Sequence, residues 1–458
     1  MAQVTGTSRV MGDAQRGERP SMQTRVEEAR VLSTGQMTAP CLCIDVEMSA
    51  EIGPIPRPAT SFGASSAWLL VSVHTEPVGS LILEVPPGGL TGEQVRAAIM
   101  AELHAVITER LGATVGNESA VPPFLESRRQ VLAHAPKMTV MVCTRERPER
   151  LRKCLESLLA QEYPDFSVLV IDNFPVTDRT RAVVDDLASS RITYARQPEK
   201  GLCRAKNLAL QIAGDGIVAS IDDDETADPH WLAELARGFF AHPEADAVTG
   251  VMAPGELETW AQVWFEQYGG HNKLRGFTPA VFSPETAHVQ SPLYPLPSFG
   301  SGGNVAFRTA SLTRIGGFDI ALGPGTASMS NEDTRVFTDL LCSGGTVVYQ
   351  PTAVTRHFHR RSVEELRTQM RGYGVGLTAF YASLVVHRPR CVPALIRLIP
   401  SAYRDMFGRE GLQSSGLPPD FPADLLKAKR RGMFIGPMSY LRASVEAARA
   451  GRKAQGVR

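Results

Sequence analysis

Hydrophobic positions along the chain follow two periods. From Met138 onward, short apolar and β-branched runs alternate with stretches whose apolar residues recur every three to four positions. Residues 138–143, 166–171, 192–194 and 217–221 read as strands. Residues 149–161 read as a helix with Leu151, Leu155, Leu158 and Leu159 inward, and residues 180–189 and 204–213 as two more. This β-α alternation predicts an α/β domain built on a parallel, doubly wound sheet. The loops leaving its strands would gather Thr144, Asp172, Lys200, Arg204 and Asp222 to Asp224 along one edge, where open α/β sheets take ligands.

The fourth run ends in Asp222, Asp223, Asp224 and Glu225. Carboxylates crowded at a strand end repel unless something positive neutralises them. A divalent cation carrying a diphosphate does so, because hard cations take oxygen ligands and keep positions open for phosphates. A solvated acidic turn is the other reading. Asp228 and Pro229 follow as a helix cap and a first helical residue, which places the acids in a strand-to-helix crevice.

Elsewhere the pattern is looser. Residues 1–35 are polar with few aromatics and read as a disordered tail. Residues 36–130 read as a small α+β accessory module. It has strands at 67–74 and 80–85, a turn at 76–79, and a helix over 91–111 with Val95, Ile99, Leu103, Ile107 and Leu111 on one stripe. Trp260, Trp264, Phe265 and Tyr268 share a helical face, as a core stripe or as an acceptor-binding wall. The Pro-rich residues 270–298 suggest a mobile flap. Residues 363–458 read as a helical, basic region, interrupted by the glycines of 372–376 and with helices over 377–386, 392–399 and 433–448.

Overall charge is balanced, 48 Lys and Arg against 48 Asp and Glu, so the whole molecule does not present itself to nucleic acid. Residues 388–458 carry 14 Lys and Arg against 5 Asp and Glu. Either a solvated tail or peripheral contact with anionic lipid follows from that excess. Seven scattered cysteines suggest reduced thiols and a cytoplasmic setting, on the inner face of the cell membrane if the basic region binds lipid. The lone pair Cys41 and Cys43 lacks a partner pair for zinc. Neither a signal pattern nor an apolar run of about 18 residues is expected to take the chain into a membrane.

Eight short motifs now fall in one order. They are Thr144-Arg-Glu-Arg-Pro148, Val170-Ile-Asp-Asn173, Lys200-Gly-Leu-Cys-Arg204 with Asn207, Asp222-Asp-Asp224, Gly302-Gly-Asn304, Gly316-Gly-Phe-Asp319, Glu332-Asp333 and His357-Phe-His359. Together they resemble a family 2 glycosyltransferase of the GT-A fold, of an actinobacterial type with an N-terminal accessory module. The likeness covers residues 137–362. It implies a Rossmann-like mixed sheet, a nucleotide-sugar donor (UDP-, GDP- or dTDP-sugar), a divalent metal (Mn²⁺ or Mg²⁺) and inversion at the anomeric carbon. By the same resemblance, Thr144 and Arg147 belong to the loop around the nucleotide and Asp172 pairs with the base. Arg204 faces the nucleotide, with Lys200, Asp223 and Glu332 also in the donor site. Asp222 and Asp224 are the metal pair, His357 completes the metal's coordination, and Asp333 is the catalytic base. Acids in a first helical turn also serve the helix dipole, which is the plainer role for Asp333. His357 and His359 alternate along a strand, so only one of them is expected to reach the metal.

The Gln-x-x-Arg-Trp motif of processive members is absent after His359, which favours adding one or a few sugars to a glycan, lipid-linked or small-molecule acceptor. Two other classes compete. A sugar nucleotidyltransferase would carry a glycine-rich first loop, which residues 144–148 lack. An inactive nucleotide-sugar-binding module would have lost acids that are all present here.

Overall fold

In the computed structural model the described residues are 28–57, 65–111, 122–272, 275–288, 290–294, 298–407 and 417–455. Most of the tail expected at 1–35, and parts of the expected flap, lie outside them.

The N-terminal strands β1 (Val31–Leu32), β2 (Cys41–Glu47), β3 (Ser65–Val73) and β4 (Glu76–Val85) form a four-stranded sheet in the order β1-β4-β3-β2. The hairpin between β3 and β4 turns at His74 and Thr75, both at positive φ, and not at residues 76–79. Two residues at positive φ match the twist of the strands they join. Glu47 makes the turn possible for residues that are not glycine: its carboxylate accepts from the N–H groups of His74 and Thr75, each at 2.8 Å. Helix α1 (Gly92–Leu111) covers one face of this sheet. Trp68, Leu70 and Ile82 on the other face join the core of the large sheet. Helix α2 (Pro123–Ala133) ties the two parts together, because Arg128 donates to the buried Glu234 at 2.7 Å.

The second part alternates as expected: β5 (Met138–Thr144), α3 (Pro148–Leu159), β6 (Phe166–Asn173), α4 (Arg179–Leu187), β7 (Ile192–Gln197), α5 (Leu202–Ala213), β8 (Ile217–Asp222). There follow β9 (Glu225–Ala227), α6 (Trp231–Ala241), β10 (Ala247–Pro254), α7 (Trp260–Gln267), β11 (Ala280–Phe282), β12 (Val305–Arg308), α8 (Thr309–Arg314), α9 (Glu332–Cys342) and β13 (Val347–His357). They build a nine-stranded sheet in the order β11-β13-β10-β12-β8-β5-β6-β7, with β9 on β13. Strands β7, β6, β5 and β8 run parallel; β12 enters antiparallel between β8 and β10. This is a doubly wound, mixed α/β sheet. Strand β11 pairs with β13, so part of the expected flap is a sheet edge.

Three helices close the chain: α10 (Val363–His387), α11 (Val392–Phe407) and α12 (Ala423–Gln455). The glycines of residues 372–376 do not interrupt α10. They admit α12 instead. A Cβ on Gly374 would meet the Lys429 carbonyl at 1.9 Å, and one on Gly432 the Arg371 carbonyl at 2.3 Å. The helix bears their entropic cost because two backbones meet there. The seven cysteines are all free thiols. Among the described residues no helix is long and apolar enough to cross a membrane.

Candidate active site

Strand β8 is buried and apolar until Asp222, and the acids occupy the turn from β8 into β9. Thr144, at the end of β5, donates to Asp223 Oδ2 at 2.7 Å. Arg147 donates to Asp223 Oδ1 at 2.9 Å and to Asp224 Oδ2 at 3.2 Å. The guanidinium groups of Arg360 and Arg150 lie 3.4 and 3.8 Å from the same Asp224 oxygen. Burial pushes the Asp222 carboxyl up to about 6, with its acidic neighbours adding to the effect. Burial also raises Asp223 and, more strongly, Glu225. Neither carboxylate oxygen of Glu225 has a hydrogen-bond partner among the described residues.

Two glycines carry the loop before β12 between these acids and α9. A Cβ on Gly303 would sit 2.0 Å from Glu225 Oε1 and 2.9 Å from Asp222 Oδ2. One on Gly302 would sit 2.9 Å from Asp333 Cβ. The Gly302 N–H donates to Asp333 Oδ2 at 3.0 Å. So Asp333, in the first turn of α9, faces the acids across two residues that have no side chain.

Lys206 on α5 is the buried cation of the site. Its ammonium lies 3.8 Å from Glu332 Oε1 and donates to the Gly302 carbonyl at 3.4 Å. Burial works against its charge, but Glu332, Asp222 and Asp333 outweigh that and hold the ammonium above its ordinary range. Burial likewise pushes Glu332 up.

His357 ends β13 opposite Glu225 of β9. Its Nε2 lies 3.5 Å from Asp224 Oδ1, and burial lowers its pKa well below the usual value. The expectation that His359 faces the other way does not hold. Residues two apart on a strand share a face, so a period of two already puts His359 on the side of His357. His359 Nδ1 lies 2.8 Å from His357 Nδ1.

A cavity of about 800 Å³ is lined by Thr144, Arg147, Lys200, Asp222, Asp223, Asp224, Glu332, Asp333 and His357. That volume suits a small-molecule ligand. Asp172 and Arg204 are not in its lining. Asp172 is buried under the sheet edge, where it accepts from the Tyr194 hydroxyl at 2.8 Å; Asn173, one residue on, lines the cavity instead. Arg204 turns to Glu199. Residues two apart on a helix point in nearly opposite directions, so once Lys206 faces the acids Arg204 cannot. Lys206 went unnoticed although the sequence marks it: Cys203, Lys206 and Ala209 share the buried face of α5. Arg360 and the α10 residues Gln369 and Tyr373 also line the cavity and carried no motif. Of the aromatic stripe, Phe265 is buried and Trp264 and Tyr268 pack around it, whereas Trp260 is exposed.

Residues 139–315 match the model of the Glycosyl transferase family 2. A glucosyl-dolichyl phosphate glucuronosyltransferase of Haloferax volcanii is 27% identical over 41% of this chain and 57% of its own. A pre-mycofactocin glycosyltransferase of Mycobacterium tuberculosis is 26% identical over 65% of this chain and 55% of its own. The chain thus spans less than two-thirds of either relative. Among solved structures, a mannosyltransferase from Pyrobaculum calidifontis in complex with GDP-Man and Mn²⁺ is 19% identical over 78% of this chain and 91% of its own, with a TM-score of 0.41. The matched residues take in β5 to β8, β10 and β12 and the motifs from Thr144 to Asn304, so this part of the sheet is similar to a family 2 glycosyltransferase domain.

Proposed function

We propose that this domain moves a sugar from a nucleoside-diphosphate sugar to a hydroxyl acceptor, with inversion, and with a divalent cation at Asp222 and Asp224. One observation carries the reading: the acids of β8 and Asp333 of α9 line a single cavity, separated by Gly302 and Gly303. The donor set fits a cation. His357 Nε2 lies 3.5 Å from Asp224 Oδ1, Asp222 lines the same cavity, and Glu225 adds buried carboxylate oxygens behind them. A cation held there would stabilise the charge growing on the departing diphosphate. The chain supplies the rest. Arg147, Lys200 and Arg360 line the cavity and offer positive charge to phosphate oxygens. Asp333 accepts the acceptor's proton as its oxygen attacks. A base facing the sugar from the side opposite the diphosphate makes the transfer a single inverting displacement. In this reading residues 137–362 are the transferase domain, 36–130 a module packed against it, and 363–458 a helical region.

A thermal-shift screen of UDP-, GDP- and dTDP-sugars with and without Mn²⁺ tests the donor class. One nucleotide series is expected to raise Tm only when Mn²⁺ is present. Equal shifts with and without metal would remove the cation from the reading.

The helical region supports peripheral contact with a membrane, and so a lipid-linked acceptor, as the Haloferax relative's name includes. On α12, Phe434, Met438, Leu441 and Val445 recur at helical spacing and remain exposed, Phe434 by 84%. Ile396, Ile399 and Tyr403 do the same on α11. Apolar stripes flanked by arginine and lysine are what an interfacial helix presents. The full chain is expected to float with phosphatidylglycerol vesicles, and the double substitution Phe434→Glu, Met438→Glu is expected to leave it in the pellet fraction. Equal flotation of the two would place lipid contact elsewhere.

A further inference from the structure

Glu266, His359 and His357 form a chain of contacts that ends at the acidic cluster. Glu266 Oε1 lies 2.7 Å from His359 Nε2, and His359 Nδ1 lies 2.8 Å from His357 Nδ1. On its other side, His357 Nε2 lies 3.5 Å from Asp224 Oδ1. The proton positions follow from what each group can do. A carboxylate only accepts, so His359 Nε2 carries a proton. A neutral His359 then offers Nδ1 as an acceptor, and the proton in the contact between the rings belongs to His357 Nδ1. That leaves His357 Nε2 as a bare lone pair beside the Asp224 oxygen. A lone pair facing a carboxylate with no hydrogen between them is repulsive, and a cation relieves it. In the other arrangement His359 carries two protons and His357 Nε2 is capped. A cation beside Asp224 disfavours that arrangement, because it repels the extra proton.

The chain is held rigidly. His359 is buried, with the edge of the Phe265 ring 4.7 Å away between centroids. Glu266 lies in the last turn of α7, and Gly270 leaves room for it, since a Cβ there would meet Glu266 Oε1 at 2.5 Å. His271 lies close by, its ring centroid 4.3 Å from that of His357. One ring nitrogen from each of the three histidines falls within 4.8 Å of the others. Imidazole nitrogen is taken by first-row transition ions, least strongly by Mn²⁺, whereas Mg²⁺ keeps to oxygen.

We infer that Glu266 and His359 are positioning residues that fix the tautomer of His357, so that the site selects Mn²⁺ or a later first-row ion over Mg²⁺. The inference rests on the cation reading above. Partners that orient a ligating histidine typically change metal affinity by about 10–100-fold. Mn²⁺ binding to the full chain, read from the free-ion EPR signal with Mg²⁺ as competitor, is independent of turnover. His359→Ala and Glu266→Ala are expected to weaken Mn²⁺ binding by about 10–100-fold and Mg²⁺ binding much less, so that the preference collapses. Glu266→Gln keeps an oxygen acceptor in place and is expected to retain most of the preference. Suppose His357→Ala weakens Mn²⁺ binding while the other variants bind as wild type, or lose both ions equally. Positioning is then wrong and the cation reading stands. If His357→Ala binds Mn²⁺ like wild type, the cation reading loses His357 and this inference goes with it.

Discussion

Asp333→Asn is expected to leave a folded protein whose turnover is down at least about a hundredfold. The side chain has two separable roles. Its Oδ2 accepts from the Gly302 N–H at 3.0 Å and its Oδ1 from the Thr334 N–H at 2.6 Å, and an amide oxygen keeps one of these bonds. An amide cannot take the acceptor's proton. If Asp333 only served the dipole of α9, the substitution would cost about 1 kcal/mol of stability at most and little activity. Steady-state rates and a thermal melt on the same preparation separate these cases. Near-wild-type turnover with a lowered Tm would leave Asp333 a structural residue.

Lys206→Met is expected to cost about 3–5 kcal/mol of stability at pH 8, read by urea unfolding, because it removes the buried cation and leaves its carboxylates without compensation. The cost is expected to shrink at pH 5. The sign follows from Asp222. Burial raises its folded pKa to about 6, above the ordinary value of about 3.9 that holds in the unfolded chain. Between those values the unfolded chain has released the proton and the folded one keeps it, so stability falls as pH rises through the window. Without Lys206 the folded pKa rises further and the window extends upward. The penalty therefore grows from pH 5 to pH 8. A pH-independent penalty would mean that Lys206 acts through packing alone.

Much of this was legible from the residues. Strands β5 to β8 announce themselves because β-branched runs and helical periods alternate without interruption, and the acids follow at the one strand end where four carboxylates adjoin. Side-chain direction was harder to read. His359 was misplaced by misapplying the strand period, which puts residues two apart on one face; it stands beside His357. Asp172 and Arg204 carry family motifs, yet Asn173 lines the cavity and Lys206 reaches the buried acids, because one or two positions decide which way a side chain points. The turn at His74 and Thr75 was missed for a different reason: its positive φ is supported by Glu47, a partner 27 residues away that no local rule sees. Gly374 reads as a helix breaker from composition. It is a close-contact residue, and the helix that approaches it begins almost fifty residues later. Period and turn chemistry act within a few positions, whereas the turn at His74 and Thr75 and the contact at Gly374 were decided by distant partners.

Sugar transfer by this domain requires Asp222 and Asp224 to hold a cation that in turn holds a diphosphate. Calorimetric titration of the full chain with nucleoside diphosphates, with and without Mn²⁺, tests this directly when wild type is compared with Asp224→Asn. Wild type is predicted to bind one nucleoside diphosphate at least tenfold more tightly with Mn²⁺ present, and Asp224→Asn is predicted to show the same affinity with and without the metal. Tight binding by wild type that ignores Mn²⁺, or metal-dependent binding that survives in Asp224→Asn, would contradict it.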